Sequence, residues 1–306
     1  MMRVALRPAW LVGAGLGIFI DRTLGEPPTS LHPLVGFGVA MNAVERVLYA
    51  DNRRRGVLHA LVGATLGVGA GRLVRSTAVA SYTAVGGRAL GAAARAVGVA
   101  LVDEDLDRAR RLLPALVGRD PSQLDEGEIA RAVVESVGEN TVDSVVAPVL
   151  WAAFAGPAGA LGYRAINTLD AMVGHHSPRY EHYGWASARL DDVVNWLPAR
   201  ACAALVAMVR PRTGAAVLRG VCTQAPLHPS PNSGVSEVAF AAALGLRLGG
   251  RNCYGDRVED RPPLGVGRAA RAEDIETANG LMRDVSSLLG ALLIGLGVVT
   301  WVRRCR

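Results

Sequence analysis

Lysine is absent from the 306 residues, so all 33 basic side chains are arginine. Without lysine there is no Walker A motif and no P-loop. No GxSxG elbow and no HExxH helix occurs, which removes the usual signatures of a serine hydrolase or a zinc peptidase. Gly265-Val-Gly267 lies in a proline- and arginine-rich stretch and makes a poor dinucleotide fingerprint. The four cysteines, Cys202, Cys222, Cys253 and Cys305, form no CxxC pair. A zinc ribbon or disulfide framework is therefore not expected, and these thiols should be reduced or buried. Aromatic residues make up only 5% of the chain and charged residues only 20%.

What remains is apolarity carried by Ala, Val, Leu and Gly. Half of the residues are hydrophobic and mean hydropathy is +0.25. That balance fits a polytopic membrane protein whose polar loops hold the chemistry. The net charge of +6 comes with no nucleic-acid motif, so no nucleic-acid partner is expected. Membrane orientation and anionic ligands account for it, since arginine pairs bidentately with carboxylate and phosphate.

Six apolar runs are visible: Pro8 to Ile20, Gly56 to Gly71, Ser76 to Val102, Ser144 to Tyr163, Val193 to Val209 and Val285 to Val302. The first is short for a full span and follows Arg3 and Arg7. With Asp21-Arg22 after it instead of a small-residue cleavage site, it reads as an uncleaved first segment. Gly63, Gly67 and Gly71 recur at four-residue spacing, which permits close helix packing in lipid. Gly156-Pro157 breaks the fourth run and marks it as re-entrant or non-spanning. The prediction is an all-α, single integral-membrane domain over residues 1–306, with about five transmembrane helices and helical polar loops. Arg53-Arg54-Arg55 and the arginines at 303, 304 and 306 argue for a cytoplasmic C-terminus. Between the runs, Asp103 to Asp143 reads as helical and water-exposed, Gln224 to Gly234 as irregular, and Arg247 to Arg271 as a loop.

Four polar constellations stand at the ends of these runs. Glu135, Glu139 and Asp143 fall at i, i+4 and i+8, on one face of a continuous helix. Like charges at that spacing suit a wet surface, or a divalent cation or arginine between them. Arg164 to Asn195 holds Arg164, Asn167, Asp170, His175, His176, Arg179, Tyr180, Arg189, Asp191, Asp192 and Asn195. So many polar groups between apolar segments must pair or bind something. Arg189 with Asp192 also reads as a plain structural ion pair. His175, His176 and His182 match no standard zinc spacing. His228-Pro-Ser-Pro-Asn232-Ser-Gly234, followed by Glu237, precedes a helix expected to start near Ser236. Its amides could meet an anion, or the stretch could be an ordinary capping turn. Asp21 to Pro33 places a carboxylate, Glu26, His32 and rigid prolines after the first run.

In order, these segments resemble the adenosylcobinamide-phosphate synthase family of cobalamin biosynthesis, the CobD/CbiB type. The matching stretches are Gly25-Glu-Pro with His32-Pro33, Glu135-Ser-Val-Gly-Glu-Asn-Thr-Val-Asp143, Ala147-Pro148, Tyr163-Arg-Ala-Ile-Asn-Thr-Leu-Asp170, Ser187-Ala-Arg-Leu-Asp-Asp192 with Asn195-Trp196, and His228-Pro-Ser-Pro-Asn232. They cover residues 20–275, roughly. Glu26 stands where the family usually has Asp, Arg164 where it has Lys, and His176 where a basic residue is more usual. The resemblance implies a multi-pass enzyme of the cytoplasmic membrane with its active site facing the cytoplasm. It would join adenosylcobyric acid to 1-amino-2-propanol or its O-phosphate, using ATP and Mg²⁺. The roles it implies are catalytic for His32, Glu139, Arg189 and His228. Asn140, Arg164, Asn167, Asp170, Asn195 and Asn232 would bind substrate or nucleotide, and Glu135, Asp143, Asp191 and Asp192 would hold the metal. Its partners would be the corrinoid, the aminopropanol and the lipid bilayer. Further copies of the chain or other enzymes of the pathway stay open as partners. The rival reading is a corrinoid-binding or transporting membrane protein without ligase activity.

Overall fold

The computed structural model describes residues 7–27, 32–175, 177–254 and 257–305, with side chains at all of these except 252–259. His176, residues 28–31 of the stretch after the first apolar run, and the Cys253 side chain lie outside the described residues.

The chain divides into two compact units, each assembled from non-contiguous segments. The first comprises Met1–Gly86, Ala147–Asn195 and Leu289–Arg306. It contains α1 (Pro8–Leu24), α2 (Pro33–Leu48), α3 (Arg53–Leu73) and α4 (Thr77–Ala84). The second comprises Gly87–Val146 and Trp196–Leu288. It contains α5 (Gly87–Val102), α6 (Leu106–Leu112) and α7 (Glu126–Thr141). Helix α8 (Ala147–Leu169) belongs to the first unit, whereas α9 (Trp185–Val209) passes from the first into the second. Then come α10 (Gly214–Thr223), α11 (Ser233–Leu244), a three-stranded sheet and α12 (Ala272–Arg304), which returns to the first unit at Leu289.

Among the described residues five helical stretches are long and apolar enough to cross a membrane: Arg53–Leu73, Thr77–Val102, Glu126–Gly174, Trp185–Val209 and Ala272–Arg304. On α3 and α12 only 33% of the apolar window is buried in the protein. Leu61 and Leu66 on α3 and Leu296 and Val299 on α12 remain exposed, as lipid-facing side chains should. The first apolar run folds as α1 and, at 17 residues, stays short. The expected third segment is two helices, α4 and α5, separated at Val85-Gly86. The expected Ser144–Tyr163 span is part of a 49-residue helical stretch. That is about 70 Å at the α-helical rise, more than twice a hydrocarbon core. Gly156 kinks it at φ 63° and ψ −149°, where Pro157 also withdraws its N–H. The Trp10 ring of α1 lies against the kink, and a Cβ on Gly156 would come within 2.7 Å of it.

The glycine stripe of α3 does what its spacing predicts. It faces α8 so closely that a Cβ on Gly63 would stand 2.6 Å from Leu169 Cδ1. One on Gly67 would stand 2.8 Å from the Leu161 carbonyl oxygen, and one on Gly71 2.5 Å from Ala158 Cα. Backbone-to-backbone approach replaces side-chain interlock, and dispersion between close-packed atoms is what holds such pairs in lipid. Asn52 caps the same helix, accepting a hydrogen bond from Arg55 N at 3.0 Å.

Three expectations for the second unit are corrected. The stretch Arg247–Arg271 is a sheet and not a loop. Strand β1 (Leu246–Tyr254) pairs antiparallel with β2 (Arg257–Leu264), and β3 (Arg268–Ala269) runs parallel beside β1. Its loop-like composition has a structural use. Gly249 and Gly250 take positive φ at a bulge in β1, and Pro262 and Pro263 sit on the edge strand β2, where a missing N–H costs little. Second, the acid-rich stretch ending at Asp143 is exposed only in its first part. Helix α7 starts with a capping box, Asp125 with Glu128, and then buries Ile129, Val133, Val134 and Val137. Third, α11 starts at Ser233, ahead of Ser236.

Steric closeness at the glycine stripe is directly measurable. Gly67→Leu should destabilise the protein by about 1–3 kcal/mol or more, the range for overpacking. Gly69→Leu, where an added Cβ meets nothing within 4 Å, should be nearly silent. Thermal unfolding in detergent compares the two.

Candidate functional site

Each unit carries a dense polar cluster built on its helices; the first unit has a further one where Arg179 and Tyr180 both bond Glu45 of α2. In the first unit the helix-borne cluster is built where α8 faces the opening turns of α9. Tyr163, Arg164 and Asn167 come from α8, and Asp191 and Asn195 from α9. The Tyr163 hydroxyl donates to Asn195 Oδ1 at 2.8 Å, and Asn195 Nδ2 donates to Asp191 Oδ2 at 2.9 Å. Asn167 Nδ2 donates to Asp191 Oδ1 at 3.4 Å, and Arg164 Nη1 donates to Asn167 Oδ1 at 3.2 Å. The chain of bonds is self-consistent: each asparagine receives on its oxygen and gives with its nitrogen, which fixes both amide orientations. Tyr163 and Asn195 are almost fully buried, at 2% exposure each. Arg164 keeps its Nε buried without a hydrogen bond among the described residues. One of its terminal nitrogens and Glu26 Oε1 both converge on Gly86, where a side chain would collide with the carboxylate.

The other sequence-selected residues of this unit lie around that network or apart from it. Asp170 opens the π-turn Asp170–Gly174 and lays its carboxylate over Gly174. Arg189 and Asp192 pair at 3.4 Å, with the arginine 66% exposed. A pair so exposed contributes at most about 1 kcal/mol. His32 is the N-cap of α2, its Nδ1 accepting from Leu34 N at 3.2 Å.

In the second unit the cluster gathers on α7, α11 and the sheet. Glu135 is 2% exposed and fully engaged. Its Oε2 meets Arg119 Nη2 at 2.6 Å, its Oε1 accepts from Gly249 N at 2.8 Å, and Arg131 stands 3.5 Å away. Arg131 in turn donates to the carbonyls of Gly249 and Arg251. Glu135 therefore ties the bulge of β1 to α7 through a compensated buried charge. Four residues on, Glu139 accepts a 2.6 Å hydrogen bond from the Ser233 hydroxyl at the start of α11. The anion at that helix N-terminus is thus the protein's own carboxylate, which the helix dipole favours. Asn140 turns back to Ser136, and Asp143 lies in the π-turn Val142–Val146. The π-turn takes Asp143 out of the 3.6-residue register that placed it on one face with Glu135 and Glu139. Asn232 accepts from Arg200 Nη1 at 2.9 Å.

His228 and Glu237 complete this cluster. His228 Nδ1 lies 3.1 Å from the Ser230 amide and 3.3 Å from the Ser230 carbonyl oxygen; the shorter contact assigns Nδ1 as acceptor and the ring proton to Nε2. His228 Nε2 lies 3.8 Å from Glu237 Oε1. Burial, reinforced by nearby Arg261, holds the His228 imidazole below its ordinary value. Burial, reinforced by Glu135 and Glu139, pushes the Glu237 carboxyl well above the carboxylate range.

Sequence reasoning placed Tyr163 and Glu237 in its segments but gave neither a role, and it missed the arginines that neutralise Glu135. Glu237 had a readable signal, being the only charged residue in α11. Arg131, one helical turn before Glu135, had one too. Arg119 had none, because its partner lies 16 positions away.

Comparison with known proteins agrees with the ordered segments. A family model described as CobD/Cbib protein matches residues 14–282. A cobalamin biosynthesis protein CobD of Mycobacterium tuberculosis is 44% identical over 298 residues, covering 93% of this chain and 95% of the relative. The protein of that name in Chromobacterium violaceum is 41% identical over 305 residues, covering 92% and 96%. That of Halalkalibacterium halodurans is 40% identical over 300 residues, covering 90% and 92%. No solved structure matches the chain. The match runs through both polar clusters and through the apolar helices that carry them, and the chain belongs to the CobD/Cbib family of cobalamin biosynthesis proteins.

Proposed function

We propose that the protein is an ATP-dependent amide ligase of the cytoplasmic membrane. It joins a side-chain carboxylate of adenosylcobyric acid to (R)-1-amino-2-propanol or its O-phosphate, giving adenosylcobinamide or its phosphate. The observation that carries this reading is the Arg164–Asn167–Asp191–Asn195–Tyr163 network. It holds an arginine and a carboxylate rigidly among apolar helices, and Arg164 still has a buried Nε without a hydrogen bond among the described residues. Ionic groups kept at that cost in a membrane protein mark a site for ionised ligands.

The chemistry divides into two transfers. The γ-phosphoryl of ATP passes to a carboxylate oxygen of the corrinoid, releasing ADP. The amine nitrogen then attacks the acyl carbon, phosphate departs, and the ammonium proton goes to a base. Arg164 is suited to neutralise phosphoryl charge, with Asn167, Asp170 and Asn195 orienting the nucleotide. Mg²⁺ on the nucleotide would withdraw charge from its phosphates. Among the described residues no three His, Cys, Asp or Glu gather as a metal cage. The residues present in the first unit fit a cation brought by phosphate and held by one or two carboxylates, Asp191 and Asp192; Asp143 is an oxygen donor of the second unit by itself. Glu135, with both oxygens engaged, is better suited to holding the sheet. His32 and His228 both spend Nδ1 on a backbone amide. That supports a positioning role for them and favours Glu139 as the group that takes the proton. Arg189 would then support the cluster of the first unit, and Asn140 and Asn232 that of the second. The apolar helices would receive the corrinoid from the lipid side.

Purified protein in detergent, given adenosylcobyric acid, Mg·ATP and each amine, should release ADP and yield a product with the mass of the amide. ATP use that ignores the acid or the amine, or binding of corrinoid without product, would favour the transport reading. Arg164→Gln and Asp191→Asn should each cost about 10²-fold or more in kcat/KM for ATP, the scale of one lost charge-stabilising contact. Glu139→Gln should cost roughly 10²–10⁴ in kcat at little change in KM, the range for a removed general base. For orientation, a C-terminal tag after the terminal arginines should resist protease in intact cells and be cut in inverted vesicles.

A further inference from the structure

Glu237 has no task in the reaction above, yet its carboxyl group is buried at a cost. It is 1% exposed, and neither carboxyl oxygen has a hydrogen bond among the described residues. The facing His228 Nε2 has none either. Arg261 Nη1 stands no nearer than 3.9 Å from Glu237 Oε1. The remaining charged groups felt there are Glu135 and Glu139 of α7, which repel a carboxylate, and Arg119 ahead of α7, which attracts it. A buried polar group left unpaired costs about 1–3 kcal/mol, and a buried charge costs more. Such a group is kept where something else depends on it.

What depends on it is a short relay through the turn before α11. Glu237 meets the Nε2–H edge of His228. His228 Nδ1 receives the Ser230 amide. Ser230 Oγ receives the amides of Asn232 and Ser233 at 3.3 and 3.1 Å. The Ser233 hydroxyl then donates to Glu139. Gly234 lets the His228 ring lie against the backbone, because a Cβ there would strike His228 Cβ. We propose that Glu237 is a positioning residue that acts as an uncharged acid, fixing with His228 the 228–233 turn that presents Ser233 to Glu139. The catalytic consequence rests on the ligase reading, whereas the protonation state and the turn do not.

In the relay as described both groups are neutral. A second proton on His228 would go to Nδ1, which would give up the Ser230 amide and turn to the Ser230 carbonyl oxygen 3.3 Å away. An ionised Glu237 would draw that same proton onto the ring. The linkage sign follows. Glu237 has a folded value above its unfolded one, so its contribution is complete below the ordinary glutamate value of about 4.3. It is lost as pH rises towards and through the raised value. His228 has a lowered folded value, so its contribution is complete above about 6.5 and lost as pH falls through the folded value.

The test uses the full chain in detergent, as wild type, Glu237→Gln, Glu237→Ala and His228→Gln. Infrared spectra at neutral pH should show a protonated-carboxyl stretch in the wild type that Glu237→Gln lacks. Amide hydrogen exchange across 228–233 should quicken about tenfold or more in Glu237→Ala and His228→Gln, because the local opening energy falls. Glu237→Gln, the shape of the neutral acid, should restore protection, and its melting temperature should gain on the wild type as pH rises. In turnover, Glu237→Ala should lower kcat at near-constant KM, with rescue by Glu237→Gln. An infrared spectrum unchanged in Glu237→Gln, or exchange unchanged in Glu237→Ala, would overturn the proposal. If the wild type makes no amide, the ligase reading fails while the spectra and exchange still decide the role of Glu237.

Discussion

Taking a charge out of water costs several kcal/mol unless partners replace the lost hydration, and this constraint shapes the interior of the protein. An apolar chain with few charged residues can bury ionic groups only by spending hydrogen-bond donors on them. The two clusters meet the demand in different ways. Glu135 is enclosed by Arg119, Arg131 and the Gly249 amide, so its charge is compensated and its use is architectural. Asp191 receives two asparagine side-chain amides, Asn167 on one oxygen and Asn195 on the other, which orient the carboxylate. Arg164 joins the same network with one terminal nitrogen on an asparagine oxygen, and its Nε has no hydrogen bond among the described residues.

The helices follow the same economy. Where α3 meets α8 the contact is made of glycine and backbone, so no polar side chain is needed at the seam. Polar groups are concentrated where α8 meets the first turns of α9, and where α7 meets α11 and the sheet. The first cluster stands wholly on helices, whereas the second also draws Arg119 and His228 from irregular segments held against α7 and α11.

Much of this was legible from residue types alone. The four-residue glycine spacing on α3 and the concentration of polar residues between Arg164 and Asn195 each led to a structural feature of the kind expected, whereas Gly156-Pro157 kinks a helical stretch that is long and apolar enough to span. The sheet was not legible, because Gly249, Gly250, Pro262 and Pro263 have the composition of a loop and are used here for a bulge and an edge. The burial of α7 was hidden by its acids, whose neutralising arginine at 119 is distant in sequence. The register of Asp143 was lost to a π-turn, which no period in the sequence announces. Glu237 was visible as a lone charge in an apolar helix, but its lack of hydrogen-bond partners is a property of the folded chain.

Membership of the CobD/Cbib family and the membrane-spanning helices place the protein in cobalamin biosynthesis at a bilayer. The account beyond that turns on whether the network around Arg164 and Asp191 grips an ionised ligand. Equilibrium binding of a non-hydrolysable Mg·ATP analogue to the detergent-purified chain measures this directly. The account predicts saturable binding that weakens about tenfold or more, or 1.4 kcal/mol, in Arg164→Gln while the melting temperature holds. Binding of equal strength in the variant, or none in the folded wild type, would contradict it.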